Sequence, residues 1–233
     1  MKEIAEKAIL NGEIIIREGK APEVYDPQRL SIIGVIDTPL KWLEKRKDII
    51  DQKQCNVCFN RDEMGIRLNI NEHDHFGDSI YGKLMISPEF KKFGINEGKY
   101  MSGLELSDLI RMNRTYFGDK NKAMELVTIM RNFKATVTKE IEASDDKKGN
   151  RMAYVRQVVE GNQPPSFELC IPIFKGLPKQ TFTVEIDIDP DTLQGTLVSP
   201  DAQDLMVEKR DELMNETIEA ISALCPDIPI IEL

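Results

Sequence analysis

Cys55-Asn56-Val57-Cys58-Phe59-Asn60, Arg61-Asp62-Glu63-Met64-Gly65 and Ile66-Arg67-Leu68-Asn69-Ile70 are the segments whose reading decides the fold. Val57 and Phe59 alternate with polar neighbours, and so do Ile66, Leu68 and Ile70. That is the period of a strand with one buried and one wet face. The residues between the two runs are polar and end in glycine, so the runs form a hairpin. After Asn71-Glu72-His73-Asp74-His75-Phe76-Gly77-Asp78, the residues Ile80, Leu84 and Ile86 give a third strand its apolar face. An antiparallel sheet is the expected centre of the molecule.

Toward the N-terminus, residues 2–10 put Ile4, Ala5, Ala8 and Ile9 on one helical face and stop at Asn11-Gly12, which predicts a helix. Ile14-Ile15-Ile16 predicts a short strand. Pro22 and Pro27 favour extended backbone in the loop that follows. Residues 32–36 are strand-like. Thr38 as N-cap and Pro39 at the first helical position then start a helix over 40–50, with Leu40, Leu43 and Ile50 on its apolar side and Trp42 as a packing residue.

Toward the C-terminus, Ser87-Pro88-Glu89 starts a short helix carrying Phe90 and Phe93, which breaks at Gly94. Ser102 and Glu105 have the spacing of a capping box, and Asp119 caps a second helix with Leu126, Ile129, Met130 and Phe133 in step. From Phe133 the period reads as two. Phe133, Ala135, Val137 and Ile141 face one way, residues 145–150 turn the chain, and 152–159 return. Phe167, Leu169, Ile171 and Ile173, then Phe182, Val184, Ile186 and Ile188, complete four successive strands. Ser199-Pro200-Asp201 opens a long final helix that Pro226 stops. Its seam of Met206, Leu213, Thr217, Ala220 and Leu224, with the apolar tail Ile228, Ile230 and Ile231, can dock on its own domain or on a second subunit. The interface expected for a homo-oligomer is Leu213, Ala220, Leu224, Ile228, Ile230 and Ile231. The fold class is α+β: an antiparallel sheet or sandwich core with flanking helices and a long C-terminal helix. One domain spans 1–233, with an N-terminal arm (1–53), a mainly β core with two inserted helices (54–198), and the final helix and tail (199–233).

At 233 residues, 41% hydrophobic and 30% charged, the chain can bury a core without disulfides or metals. No apolar run approaches the roughly 20 residues that span a bilayer, and the start is too acidic for a signal peptide, so a cytoplasmic protein without a membrane partner is expected. The formal net charge of −9 argues against sequence-independent duplex nucleic acid as a partner, because that affinity comes from clustered Lys and Arg displacing counterions. Lys45-Arg46-Lys47 and Lys147-Lys148 read as solvated surface. Four scattered cysteines, Cys55, Cys58, Cys170 and Cys225, read as reduced thiols.

The candidate polar site is His73, Asp74, His75 and Asp78, which includes both histidines of the chain. Two imidazoles at i and i+2 of an extended segment share a face, so His73 and His75 with Asp78 are the candidate ligands of a divalent metal, the one cofactor considered. The preferred reading is a hydrogen-bonded polar turn between strands, with no cofactor expected, and the metal is the alternative. Cys55-x-x-Cys58 with the two histidines imitates a zinc set, but a strand points those thiols to opposite faces. Asp187, Asp189 and Asp191 imitate the start of an EF-hand loop, with Thr192 where the turn glycine belongs and Val198 where the closing Glu belongs. There is no Walker loop, no Gly-x-Gly-x-x-Gly, no Gly-x-Ser-x-Gly and no His-Glu-x-x-His. No catalytic residue is assigned.

Three blocks resemble a known family. Tyr25-Asp26-Pro27-Gln28-Arg29 leads into Ile36-Asp37-Thr38-Pro39 and Trp42-Leu43. Residues 71–78 run into Ile86-Ser87-Pro88-Glu89-Phe90-Lys91. The third block is Pro165-Ser166-Phe167-Glu168-Leu169-Cys170-Ile171-Pro172-Ile173-Phe174-Lys175-Gly176. In this order they resemble the YfdQ-like proteins of phages and prophages, a family of unknown function. The middle block is the most specific, through one His, Gly77-Asp78 and Ser87-Pro88-Glu89; the cysteine pair lies outside the pattern. The resemblance implies a phage-encoded or prophage-encoded protein acting inside the bacterial host, and it assigns no catalytic residues. The expected function is that of a non-enzymatic accessory protein that self-assembles and binds a host or phage component. A metal-dependent hydrolase of a nucleotide or phosphodiester and a protein that sequesters a nucleotide signal are the alternatives.

Overall fold

Residues 4–10, 13–19, 29–74, 77–143 and 151–233 are described by the computed structural model of the chain. Its first element corrects an expectation. Instead of a helix, β1 (Ile4–Leu10) pairs antiparallel with β2 (Glu13–Gly19), Leu10 opposite Glu13 across a two-residue connection. Asn-Gly is the preferred dipeptide of two-residue hairpin loops, which need positive φ at both positions. The sequence signal at 11–12 was therefore a hairpin signal rather than a helix stop; those two residues lie outside the described ones.

β3 (Ser31–Val35) leads into α1 (Thr38–Arg46), and a single turn of tighter helix over Lys47–Ile49 ends it short of Ile50. Thr38 is the first helical residue and not the N-cap. Asp37 holds that position, makes no side-chain cap bond and pairs instead with Lys41 at 2.5 Å. The expected meander follows as β4 (Cys55–Asn60), β5 (Gly65–Ile70) and β6 (Asp78–Lys83), in register Val57 to Leu68 to Ile80. α2 (Pro88–Phe93) starts where Ser87 Oγ accepts the Phe90 N–H, and Gly94 ends it with φ of 63°. α3 (Gly103–Met112) carries the full capping box, in which bonds from Ser102 hold the Glu105 carboxyl below the usual range. Asp119 Oδ1 accepts from the backbone N–H of Asn121 at the start of α4 (Lys120–Ala143).

α4 overturns the expectation of strands beyond Phe133, and α5 (Arg151–Gly161) stands where a returning strand was expected; the expected turn at 145–150 lies outside the described residues. Leu126, Met130, Phe133 and Val137 are buried at helical spacing, whereas Ala135 is exposed, so the alternation was a coincidence of period. No Gly or Pro interrupts 120–143. Three strands rather than four make the second sheet: β7 (Phe167–Ile171), β8 (Gln180–Ile188) and β9 (Gly195–Val198), antiparallel in that order. α6 (Pro200–Leu224) begins where Ser199 Oγ accepts the Ala202 N–H.

The tail forms β10 (Ile230–Glu232), parallel to β4, so the first sheet has the order β10-β4-β5-β6-β3. Ile228 is buried, and Leu213, Leu224 and Ile230 pack on the core of their own chain. Arg61 locks this end, donating to Asp211 at 3.1 Å, Glu232 at 3.0 Å and Asn215 at 2.9 Å. Arg210 and Arg61 together hold the Asp211 carboxyl below the usual carboxylate range. A depressed folded pKa contributes stability above the unfolded value of about 3.9 and loses it as pH falls through the folded one. Solvent screens these part-exposed pairs, so Arg61→Ala should cost about 0.5–1 kcal/mol near neutrality, with the deficit shrinking under acid. Urea unfolding at neutral and acidic pH measures both.

Buried residues form one continuous cluster across both sheets. The sheets are joined where Ile86 bridges Phe174, Ser87 N–H donates to Ile173 O at 2.8 Å and Lys175 N–H to Met85 O at 2.8 Å. A mixed α+β architecture with a long C-terminal helix results.

Candidate functional site

The histidine stretch is the loop between β5 and β6, whose last register pair is Ile70 with Asp78. Asn71 takes φ of 55°, Asp74 N–H donates to Asn71 O at 2.8 Å and Gly77 N–H to Asp74 O at 3.0 Å. A Cβ at Gly77 would lie 2.8 Å from Asn71 O and 2.9 Å from Ile70 O, so the close turn requires glycine there. Asp78 Oδ1 accepts from Leu30 N–H at 2.8 Å while Leu30 O accepts from Ser79 N–H at 2.9 Å, which ties the entry of β3 to β6. Asn69 donates to Asn56 Oδ1 at 2.7 Å, and Asn56 donates to Glu72. These groups surround a shallow recess of about 260 Å³ that also meets Arg29 and Asp74. The His73 side chain is 78% exposed, with Nε2 3.8 Å from Glu72. His75 lies outside the described residues.

The structure thus gathers Asp74 and Asp78 at one recess. Among the described residues no three His, Cys, Asp or Glu side chains are grouped as a metal site. Cys55 and Cys58 occupy opposite faces of β4. Cys55 is buried and donates to Asp51 O at 3.3 Å, and burial pushes its thiol pKa up, as it does for Cys225. Asp189 is spent on its own turn, accepting from Asp191 N–H at 2.9 Å and Thr192 Oγ1 at 2.7 Å.

A second site lies at the opposite end of the sheet. β3 and β6 run parallel and end together at the Val35 and Lys83 pair. Open sheets with parallel strands take ligands outside the C-terminal ends of those strands. Here the strand ends, the start of α1, residues 175–177 and one side of α6 enclose a cleft of about 430 Å³. Its walls are apolar, from Val35, Ile36, Leu40, Leu84, Met85, Leu177 and Leu213, and its charged groups are Asp37, Lys83, Lys175 and Glu216. Thr217 spends its hydroxyl on Leu213 O at 2.8 Å. Among the described residues, neither Lys83 nor Lys175 has a carboxylate within ion-pair reach. Asp37 Oδ2 pairs with Lys41, but Asp37 Oδ1 is buried with no donor.

Nothing local in the sequence marks the cleft, because its charged groups come from four separate elements. Ile36 and Asp37 meet Lys175 and Gly176 there, although they are far apart in the sequence. No protein-family model, curated protein or solved structure matches the chain.

Proposed function

We propose that the chain is a non-enzymatic accessory protein of a phage or prophage that acts in the host cytoplasm by binding, with the cleft between the β3 and β6 ends and α6 as its binding site. The observation that carries this reading is a concave apolar wall that presents two lysines free of carboxylate partners among the described residues. A cleft of about 430 Å³ falls within the roughly 300–1,000 Å³ of small-molecule sites, which pair apolar walls with few polar anchors. The recess at the histidine loop supports binding less well, since Asn56, Asn69 and Asp78 already serve as partners for the surrounding loop and strands. No helix among the described residues is long and apolar enough to cross a membrane. The test uses anilinonaphthalene sulfonate, an anionic apolar dye. One equivalent should bind the folded protein, and Leu213→Trp, which fills the cleft from α6, should abolish binding with the unfolding transition retained. Failure of the dye to bind the native protein would sink the reading.

Self-assembly is the second part of the proposal, and the outer face of the first sheet favours it. Ile231, Cys58, Arg67, Tyr81 and Ile33 form one row across all five strands. Ile33 is 76% exposed and Ile231 46%. Light scattering should give a mass above 26.6 kDa, and a monomer would remove this part.

A further inference from the structure

We infer that the cleft takes a compact zwitterion with an apolar body, the chemistry shared by an apolar amino acid and a short apolar peptide. This rests on the cleft being the binding site and names its ligand class. Both signs of charge line one apolar space. Lys83 closes β6, the Lys175 N–H donates to Met85 O at 2.8 Å, and both lysines line the cleft. Those two ammonium groups are placed to receive a carboxylate, and charge-assisted bonds of this kind are about twice as strong as neutral ones.

The opposite pole is provided by acids on other elements, Asp37 at the start of α1 and Glu216 on α6. Glu216 lines the cleft with no Lys or Arg within ion-pair reach among the described residues, so its carboxylate can meet a ligand ammonium. A simple fatty anion would set its tail against Glu216. Leu40 and Leu213 provide apolar surface for the body of the ligand between the two poles. The volume of about 430 Å³ accommodates more than one residue, so a dipeptide fills it better than a free amino acid.

The experiment is displacement of anilinonaphthalene sulfonate from the full chain by leucine, Leu-Leu, N-acetyl-leucine and leucinamide. Leu-Leu should displace best and leucine more weakly, while the singly charged compounds should be at least about tenfold poorer than their zwitterionic parent. Lys175→Gln should weaken Leu-Leu by about tenfold and leave leucinamide unaffected; Glu216→Gln should also weaken Leu-Leu by about tenfold and leave N-acetyl-leucine unaffected. Both side chains are exposed, so these variants keep the fold. Equal displacement by N-acetyl-leucine and leucine would overturn the zwitterion assignment in favour of a plain anion. A dye that binds but is displaced by none of the four would overturn the ligand class and leave the cleft as a binding site. No dye binding at all would overturn both.

Discussion

Replacing Phe174 by alanine should remove about 3–5 kcal/mol. The ring is fully buried, and its position makes the void hard to close. Phe174 stands where the two sheets are joined. Its backbone bridges Ile86, Ile173 O accepts the Ser87 N–H, Lys175 N–H reaches Met85 O, and Ser87 Oγ donates to Pro172 O. Those bonds fix the main chain on both sides of the ring. Neighbouring side chains cannot collapse inward without breaking them, and the cost of a cavity grows with the volume that remains unfilled. Urea unfolding followed by far-ultraviolet circular dichroism would measure the loss, and a second transition would show the sheets separating. A loss below about 1.5 kcal/mol would mean the joint is plastic and that the core is two cores in contact.

The same joint shows how far the sequence was legible. Alternation at Val57, Phe59, Ile66, Leu68 and Ile70 was enough to place the meander, because a sheet with one wet face must repeat every two residues. Ser87, Ser102, Asp119 and Ser199 marked their helix starts correctly, since capping needs only a short side chain next to free N–H groups. The misreadings came where two periods coincide. Phe133 and Val137 are four apart, which satisfies a helix and a strand alike, and only the burial of Met130 and Leu126 behind them decides for α4. At residues 4–10 the apolar positions also fit helical spacing, although the Asn-Gly that follows is a hairpin signal. The polar loop at 71–77 was visible because its residues are contiguous. The cleft was not, because Asp37, Lys83, Lys175 and Glu216 become neighbours only when β3 lies beside β6 and α6 folds back across their ends.

Gly82→Ala tests that assembly from its backbone, and it should cost about 2–4 kcal/mol although it adds one methyl group. An added Cβ would lie 2.5 Å from Ile36 O, 2.7 Å from Pro39 Cδ and 2.8 Å from Val35 O. None of these atoms is the end of a flexible side chain. Two are main-chain oxygens, and the third belongs to the ring at the start of α1, so relief requires β3 and α1 to move together. Gly34, opposite Gly82 in the register, meets Thr38 Oγ1 in the same crowded turn and leaves no room on the other strand. Movement of α1 carries Asp37 with it and opens the cleft, so Gly82→Ala should also weaken dye binding in whatever fraction stays folded. Gly161→Ala is the contrast: nothing lies within 4 Å of its Cβ position, and it should stay within about 1 kcal/mol of the parent, in the stabilising direction expected for alanine in a helix. If Gly82→Ala proved as mild as Gly161→Ala with dye binding intact, the close approach of β6 to the start of α1 would not be what shapes the site, and the cleft would have to be sought elsewhere on the sheet.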